Sequence, residues 1–164
     1  MNRWIVAVLL MAVATTSLAG EQIIGIKGDH DALKPYIGIR PGERTEVGLY
    51  GLYADGMAGM DEGIGAGVYA TYDVVQDANF VILDWSVPAT IYIGGELGGV
   101  WIDPDVGSRT GDVTASLTTG VLFGGPKLKI GVELSYALTE DLWKELSMVD
   151  PEARVLFNIH YRFK

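Results

Sequence analysis

Apolar residues alternate with small or polar residues along most of the chain after residue 33. In residues 128–138 the bulky apolar side chains occupy the even positions, which are Leu128, Ile130, Val132, Leu134, Tyr136 and Leu138. The odd positions of the same stretch carry Lys, Gly, Glu, Ser and Ala. Residues 63–74, 89–102 and 113–123 follow the same rule. A period of two is typical of β-strands whose two faces meet different surroundings.

Clusters of Gly, Pro, Asp and Asn separate these runs and predict turns between them. The pattern predicts eight strands, at about 34–41, 45–54, 62–75, 79–87, 89–102, 112–123, 127–138 and 154–163. A ninth run, residues 22–27, is either a true first strand or an N-terminal tail. Two of the predicted turns are "QDAN" at 76–79 and the break at Pro88. Residues 139–153 show helical spacing of apolar residues, which predicts a short helix at 140–149.

The first 19 residues differ from the rest of the chain. Arg3 precedes an apolar run at 4–14, and small residues follow up to Ala19. This is the three-part pattern of a secretory signal peptide. The alternative is an N-terminal membrane anchor, but a spanning helix needs about 20 apolar residues. We therefore expect residues 1–19 to be a signal peptide and residues 20–164 to form a single β-barrel domain.

The composition of the polar face distinguishes two kinds of barrel. A soluble barrel would expose Lys and Glu on its outer face, whereas a membrane barrel turns its apolar face to lipid and its polar face inward. Here the polar face is mostly Gly, Ser, Thr and Tyr, in keeping with the 22 glycines of the chain. Small polar residues suit the narrow interior of an eight-stranded barrel. The predicted fold is all-β, a closed antiparallel up-and-down transmembrane β-barrel of about eight strands.

Two further sets of residues fit this fold. Aromatic side chains near strand ends are predicted to lie at the membrane interfaces, and they are Tyr53, Trp85, Trp101, Tyr161 and Phe163. The polar face also carries charges of both signs, which are predicted to pair as a network inside the lumen. The members of this network are Glu96, Lys129, Glu133 and Arg162. The glycines of "GIGAGVYA" at 63–70 are predicted to leave room for tyrosine rings in the lumen.

The chain ends on "VLFNIHYRFK", an alternating strand that closes on Tyr161 and Phe163. This ending resembles the C-terminal signature of bacterial outer-membrane β-barrels, although the chain adds Lys164 after the aromatic residue. The resemblance implies location in the bacterial outer membrane, contact with its lipid, and recognition of the last strand by the barrel-assembly machinery. It also implies periplasmic termini, with 103–111 and 139–153 outside the cell and periplasmic turns at 124–127 and 87–89. The 55–62 loop falls on the periplasmic side if 34–41 is the first strand.

Candidate chemistry is sparse. His160 could act as a base with Ser135 and Glu133, but an inward, hydrogen-bonded histidine explains the same sequence. "DPDVGSRTGD" at 103–112 is acidic, yet the twelfth position from Asp103 is Thr114, not the glutamate of a calcium loop. We therefore predict no catalytic residues, no metal and no cofactor. The net charge of −9 argues against a nucleic-acid partner.

The resemblance does not select a function, because small eight-stranded members include adhesin-like, structural and lipid-modifying proteins. The expected role is structural or interaction-based, carried by the outer loops toward a partner that the sequence leaves open. Two alternatives remain. One is a soluble exported barrel that binds an apolar ligand, and the other is a lipid-modifying outer-membrane barrel enzyme.

Overall fold

The computed structural model describes residues 20–30, 32–54, 62–82, 84–103, 110–138 and 153–163. These residues form eight strands: β1 (Glu21–Gly28), β2 (Ala32–Arg40), β3 (Thr45–Ala54), β4 (Glu62–Ile82), β5 (Trp85–Asp103), β6 (Thr110–Gly124), β7 (Leu128–Ala137) and β8 (Ala153–Phe163). Each strand pairs with the next in an antiparallel arrangement, and β8 pairs with β1. The predicted fold class, a closed antiparallel up-and-down barrel, is confirmed. The signal peptide at 1–19 and the helix at 140–149 lie outside the described residues.

The number of strands matches the prediction, but the eight strands are not the same eight, because one run outside the predicted set is a strand and one predicted strand is wrong. The ambiguous run at 22–27 is the true first strand, β1, because it pairs on one side with β2 and on the other with β8. The predicted strand 62–75 is the first part of β4. The predicted strand 79–87 is wrong, because β4 continues to Ile82 and β5 begins at Trp85, so that 79–87 contains the turn between them. No helix in the described parts of the chain is long and apolar enough to cross a membrane.

The predicted turn at 76–79 lies inside β4 because two β-bulges accommodate it. The register of β4 on β5 shifts between Asp73 and Val75 and again between Val75 and Ala78. Each bulge places an extra residue in one strand without ending the ladder, and Asp77 within the second bulge has a positive φ of 46°. Pro88 also lies within a strand. It lies just beyond the last β5–β6 pair, Ala89 with Phe123, where an edge position tolerates proline.

The connections define two ends of the barrel. The loop end carries the connections 29–31, 55–61, 104–109 and 138–152, and the turn end carries the turns 41–44, 83–84 and 125–127. Both ends of the barrel chain, the start of β1 and the end of β8, also lie at the turn end. Once β1 is counted, the 55–61 connection falls on the same end as the other long connections. The turn predicted at 87–89 is replaced by the turn at 83–84.

The two faces of the wall meet opposite surroundings. In β8 the side chains of Val155, Phe157 and Ile159 are exposed on the outside, whereas Asn158 and His160 are buried inside. Among the residues that the structure describes, 27 large hydrophobic side chains are exposed, most of them on the outward face. A soluble protein would bury such residues in its core. The described part of the barrel therefore has an apolar exterior and a largely polar interior, the polarity of a membrane barrel.

The barrel lumen as the candidate functional site

A four-membered ion-pair cluster lies at the centre of the lumen. Lys27 from β1 donates hydrogen bonds to both carboxylate oxygens of Glu133 in β7, at 2.9 and 3.0 Å. Lys27 also contacts a carboxylate oxygen of Glu96 in β5. The other oxygen of Glu96 accepts a hydrogen bond of 2.7 Å from Lys34 in β2. We call Lys27, Lys34, Glu96 and Glu133 the central cluster; its four members are all buried and tie together four strands across the lumen.

Tyrosine side chains surround the central cluster. Tyr92 donates to Glu133 at 2.7 Å, and Tyr36 donates to the side-chain oxygen of Asn158 at 2.8 Å. Tyr69 donates to Glu46 at 2.7 Å, and its ring meets that of Tyr36 edge-on at 5.5 Å between centroids. Each ring fills space in the lumen while its hydroxyl satisfies a buried acceptor, which is the usual arrangement for buried tyrosines.

Glycines in the wall make room for these rings. A Cβ added at Gly120 would lie 2.5–2.8 Å from atoms of the Tyr92 ring and hydroxyl. A Cβ at Gly67 would lie 2.6 Å from Tyr50. A Cβ at Gly67 would also lie 2.4 Å from the backbone oxygen of Leu97. Contacts under about 3 Å are essentially never seen for real Cβ atoms, so a side chain at Gly120 would displace the Tyr92 ring, and one at Gly67 would also require the backbone to shift. Gly67 belongs to the glycine-rich stretch 63–70, where the sequence predicted room for tyrosines.

Further ion pairs lie toward the two ends of the lumen. At the turn end, Arg40 donates to Asp73 at 2.7 Å. At the loop end, Arg154 donates to both carboxylate oxygens of Asp29, each at 2.7 Å. A bidentate arginine–carboxylate pair of this kind is geometrically specific. Ion pairs thus connect different strands near both ends of the lumen as well as at its centre.

The four predicted lumen charges lie on the inward face, and Lys27 bridges two of them, Glu96 and Glu133. Glu96, Lys129 and Glu133 are buried, and Arg162 is half-buried. Lys129 binds Asp77 at 2.9 Å and Thr90 at 2.5 Å instead of joining the two glutamates. The side chain of Arg162 donates through Nε to His160 at 3.1 Å.

The two lysines that compensate the glutamates are not among the predicted lumen charges. Lys27 lies in the run at 22–27, which the sequence assigns to either a strand or a tail, and Lys34 opens the strand predicted at 34–41. Lys27 lies on the same face of its run as Gly25, and Lys34 shares a face with Tyr36 and Arg40. Treating 22–27 as a strand and counting inward positions through both runs would have identified them.

The predicted interface aromatics occupy two kinds of position. Trp101, Tyr161 and Phe163 are exposed on the outward face near strand ends, and Tyr53 is half-buried on the same face. The rings of Tyr161 and Phe163 stack at 6.2 Å. Trp85 is different. It lies at the tip of the β4–β5 hairpin, beyond the last pair that β5 makes with β6.

One cavity in the described part of the lumen is small. A cavity of about 20 Å³ lies beside the central cluster, and Glu46, Asp73, His160 and Arg162 are among the residues that line it. Such a volume holds about one water molecule. The described residues contain no group of three or more His, Cys, Asp or Glu side chains placed to bind a metal ion.

The residues considered for catalysis do not meet. His160 lies opposite Lys129 in the β7–β8 register, and Ser135 lies opposite Arg154. Six residues along a strand correspond to about 20 Å, too far for a nucleophile and its base to share a proton. His160 is also inside the lumen, where it accepts or donates a hydrogen bond of 3.1 Å with Tyr36.

Comparison with known proteins identifies the fold. No protein-family model matches the sequence, and no curated protein matches it. The N-terminal β-barrel domain of Pseudomonas aeruginosa OprF superposes with a TM-score of 0.62 at 14% identity, over 87% of this chain and 96% of that one. Neisserial surface protein A (NspA) gives a TM-score of 0.53 at 13% identity, over 87% and 94% of the two chains. Both are small bacterial outer-membrane β-barrels.

The chain has the fold of the small outer-membrane β-barrels. This fold accounts for the inverted polarity of the wall, because lipid solvates the apolar exterior and the side chains of the lumen solvate one another. It also accounts for closure, since an open strand edge would leave backbone groups without partners in hydrocarbon. At these low identities the likeness concerns the fold, and the charged lumen is described from this chain alone.

Proposed function

We propose that the protein is a non-conducting β-barrel of the bacterial outer membrane with a structural or interaction role carried by its loop end. The observation that carries the proposal is the combination of an apolar exterior with a lumen closed by the central cluster. A polar channel would need continuous water along the axis, and the described cavity there has room for about one water molecule.

The structure argues against the soluble alternative. A barrel that binds an apolar ligand needs an apolar cavity of several hundred Å³, whereas this lumen is filled with ion pairs and tyrosines. The apolar side chains instead lie on the outside. The lipid-modifying alternative has less support than the interaction role, because His160 lies in the lumen and far along the strands from Ser135.

Export and orientation belong to the same proposal. Residues 1–19 would act as the signal peptide, and β8 would be read by the barrel-assembly machinery. The turn end, which holds the short turns and both ends of the barrel chain, would face the periplasm. The longer connections would then reach the outside of the cell, where an outer-loop partner could bind them. The similarity to a protein named as a neisserial surface protein supports this placement.

Cell fractionation with a heat-modifiability gel and planar-bilayer recording tests the proposal. The protein is expected in the outer-membrane fraction, and its gel mobility should shift on boiling. In planar bilayers it should give no conductance steps above the baseline, whereas a known porin, recorded as a control, gives such steps. Recovery in the soluble fraction without detergent would contradict the membrane assignment. Steady porin-like conductance would contradict the filled lumen. Comparison of lipid A from cells with and without the protein tests the enzyme alternative, and we expect no difference.

A further inference from the structure

The β4–β5 hairpin continues past its neighbours at the turn end. Pairing of β3 with β4 ends at Thr45 and Tyr72, and pairing of β5 with β6 ends at Ala89 and Phe123. Pairing of β4 with β5 continues to Ile82 and Trp85. Residues 78–82 and 85–89 therefore form a two-stranded extension that we call the turn-end ribbon. Its β5 strand runs four residues beyond Ala89, which corresponds to about 13 Å along the strand.

One face of the turn-end ribbon continues the outward face of the barrel wall. β5 alternates without a break, so Trp85 and Val87 share a face with the outward-facing Ile93. Phe80 lies opposite Val87. The Phe80 ring packs edge-on against the outward Phe123 ring of β6, at 6.2 Å between centroids. We call this surface the apolar ribbon face. The opposite face carries Asn79, Val81, Ser86 and Pro88.

Polar side chains at the base of the ribbon fix which way it faces. Asp77 accepts a hydrogen bond of 2.9 Å from the lumen residue Lys129. Gln76 donates to the backbone oxygen of Glu43 in the neighbouring turn, at 2.6 Å. The two bulges of β4 allow these side chains to turn toward the mouth of the lumen while the ladder with β5 persists. The base is therefore held with its polar side inward and the apolar ribbon face outward.

The length of the hairpin exceeds what the hydrocarbon layer requires. A tilted membrane strand needs about 9–11 residues, whereas β4 has 21 and β5 has 19. Beyond the hydrocarbon lies an interfacial layer of about 5–8 Å on each side, where Trp and other amphipathic aromatics are favoured. Trp85 is 76% exposed in the isolated chain, so an apolar ribbon face without a partner would leave a large aromatic surface in water.

We propose that the apolar ribbon face, formed by Phe80, Trp85 and Val87, lies in the headgroup region of the inner leaflet and contacts phospholipid there. The inference rests on the proposed membrane function. Its particular support is continuity, since this face extends the lipid-facing wall and packs against it through Phe123. By contacting the headgroup region, the ribbon helps to fix the depth of the barrel in the membrane.

Single-cysteine labelling tests the contact, because the chain contains no cysteine. Val87→Cys and Trp85→Cys place an environment-sensitive NBD label on the apolar ribbon face. Ser86→Cys, on the opposite face, is the matched control. Leu97→Cys reports the lipid-facing wall, where Leu97 is exposed on the outward face, and Gly42→Cys reports the aqueous turn. Each variant is checked for heat-modifiable folding and placed as a single copy in phosphatidylethanolamine–phosphatidylglycerol nanodiscs, in which iodide reaches both leaflet surfaces.

The expected result is blue-shifted emission at positions 85 and 87, with iodide quenching several-fold weaker than at positions 86 and 42. A water-exposed label at position 97 would contradict the proposed membrane function itself. A shielded label at 97 with equal, water-like signals at 85, 86 and 87 would overturn the ribbon proposal and leave the ribbon free for a protein partner. Equal shielding at 86 and 87 would overturn the assignment of the two faces.

Discussion

At the residue scale, Lys27 holds two buried carboxylates together. It pairs with Glu133 and contacts Glu96, and all three side chains are buried. A buried charge that loses its partner cannot recover its hydration, so breaking such a pair costs far more than the pair contributes as a whole. The lumen is therefore sensitive to the loss of a single charge.

Replacing this lysine should destabilise the barrel. Lys27→Met removes the cation between Glu96 and Glu133, and we expect a loss of about 3–5 kcal/mol in the free energy of unfolding. Urea titration of the barrel in vesicles measures it. Lys127→Met is the matched control, because Lys127 is exposed in a turn and should change stability by less than about 0.5 kcal/mol. The double variant Lys27→Met with Glu133→Gln should recover part of the loss, because it also removes a carboxylate that the first change leaves without its cation. Equal losses for Lys27→Met and Lys127→Met would disprove the role of the cluster.

On the outward face, a charged side chain is unfavourable because it would meet lipid. Val132 lies in β7 with its side chain exposed on the outer face, so lipid rather than water would surround it in a membrane. Val132→Arg is expected to cost about 2–4 kcal/mol in a bilayer, whereas Leu138→Arg, on the same face at the loop end, should cost about 0–1 kcal/mol. Folding yield and urea stability in vesicles measure both. Equal behaviour of the two variants would mean that the outward face does not meet a hydrocarbon layer.

At the element scale, closure depends on the pairing of β8 with β1. The ladder runs from Gln22 with Phe163 to Gly28 with Phe157, and it removes the last two open strand edges of the described sheet. Open edges are templates for aggregation in water and cannot be satisfied in hydrocarbon. The alternating C-terminal stretch is thus the strand that completes the barrel.

Removal of this strand should prevent assembly. Deletion of residues 155–164 is expected to abolish outer-membrane insertion, because β7 and β1 would each lose their partner. Deletion of Lys164 alone should leave insertion unchanged or raised, since it restores a terminal aromatic residue. The amount of heat-modifiable protein in the outer membrane measures both effects. Insertion of the shorter chain at the parent level would rule out closure by β8, and failure of the Lys164 deletion would refute the proposed reading of the terminal signature.

At the scale of the whole molecule, the even number of strands places both ends of the barrel chain at the same end of the barrel. Eight antiparallel strands return the chain to the end at which it started, so the start of β1, the end of β8 and the three short turns lie together. The four other connections lie at the opposite end. If the turn end faces the periplasm, every longer connection is available outside the cell.

Labelling of intact cells tests this orientation. His30→Cys places a thiol at the exposed loop end, and Gly42→Cys places one in a turn where an added Cβ meets nothing within 4 Å. A bulky PEG-maleimide that porins exclude should react with position 30 in intact cells, and with position 42 only after the outer membrane is opened. The reverse pattern would place the turn end outside the cell.

Local patterning determined much of this protein. The alternation of 128–138 and 154–163 predicted strands with opposite faces, because successive side chains of a strand point to opposite sides wherever the strand lies. The polarity of those faces predicted a membrane barrel rather than a soluble one, and the inward positions of Glu96 and Glu133 followed from counting alone. Strand existence and facing are short-range properties, and the sequence states them directly.

Only the tertiary structure decided which charges meet and where the strands end. Lys27 and Glu133 are 106 residues apart in sequence, and their contact depends on the register accumulated across the intervening strands and on closure. The bulges at Asp73 and Val75 carried β4 through a segment whose residues favour a turn, because the ladder with β5 and the bond from Lys129 to Asp77 outweigh local preference. The charge contacts and the strand ends depend on pairing between strands that are distant in sequence, so a short stretch of sequence does not determine them.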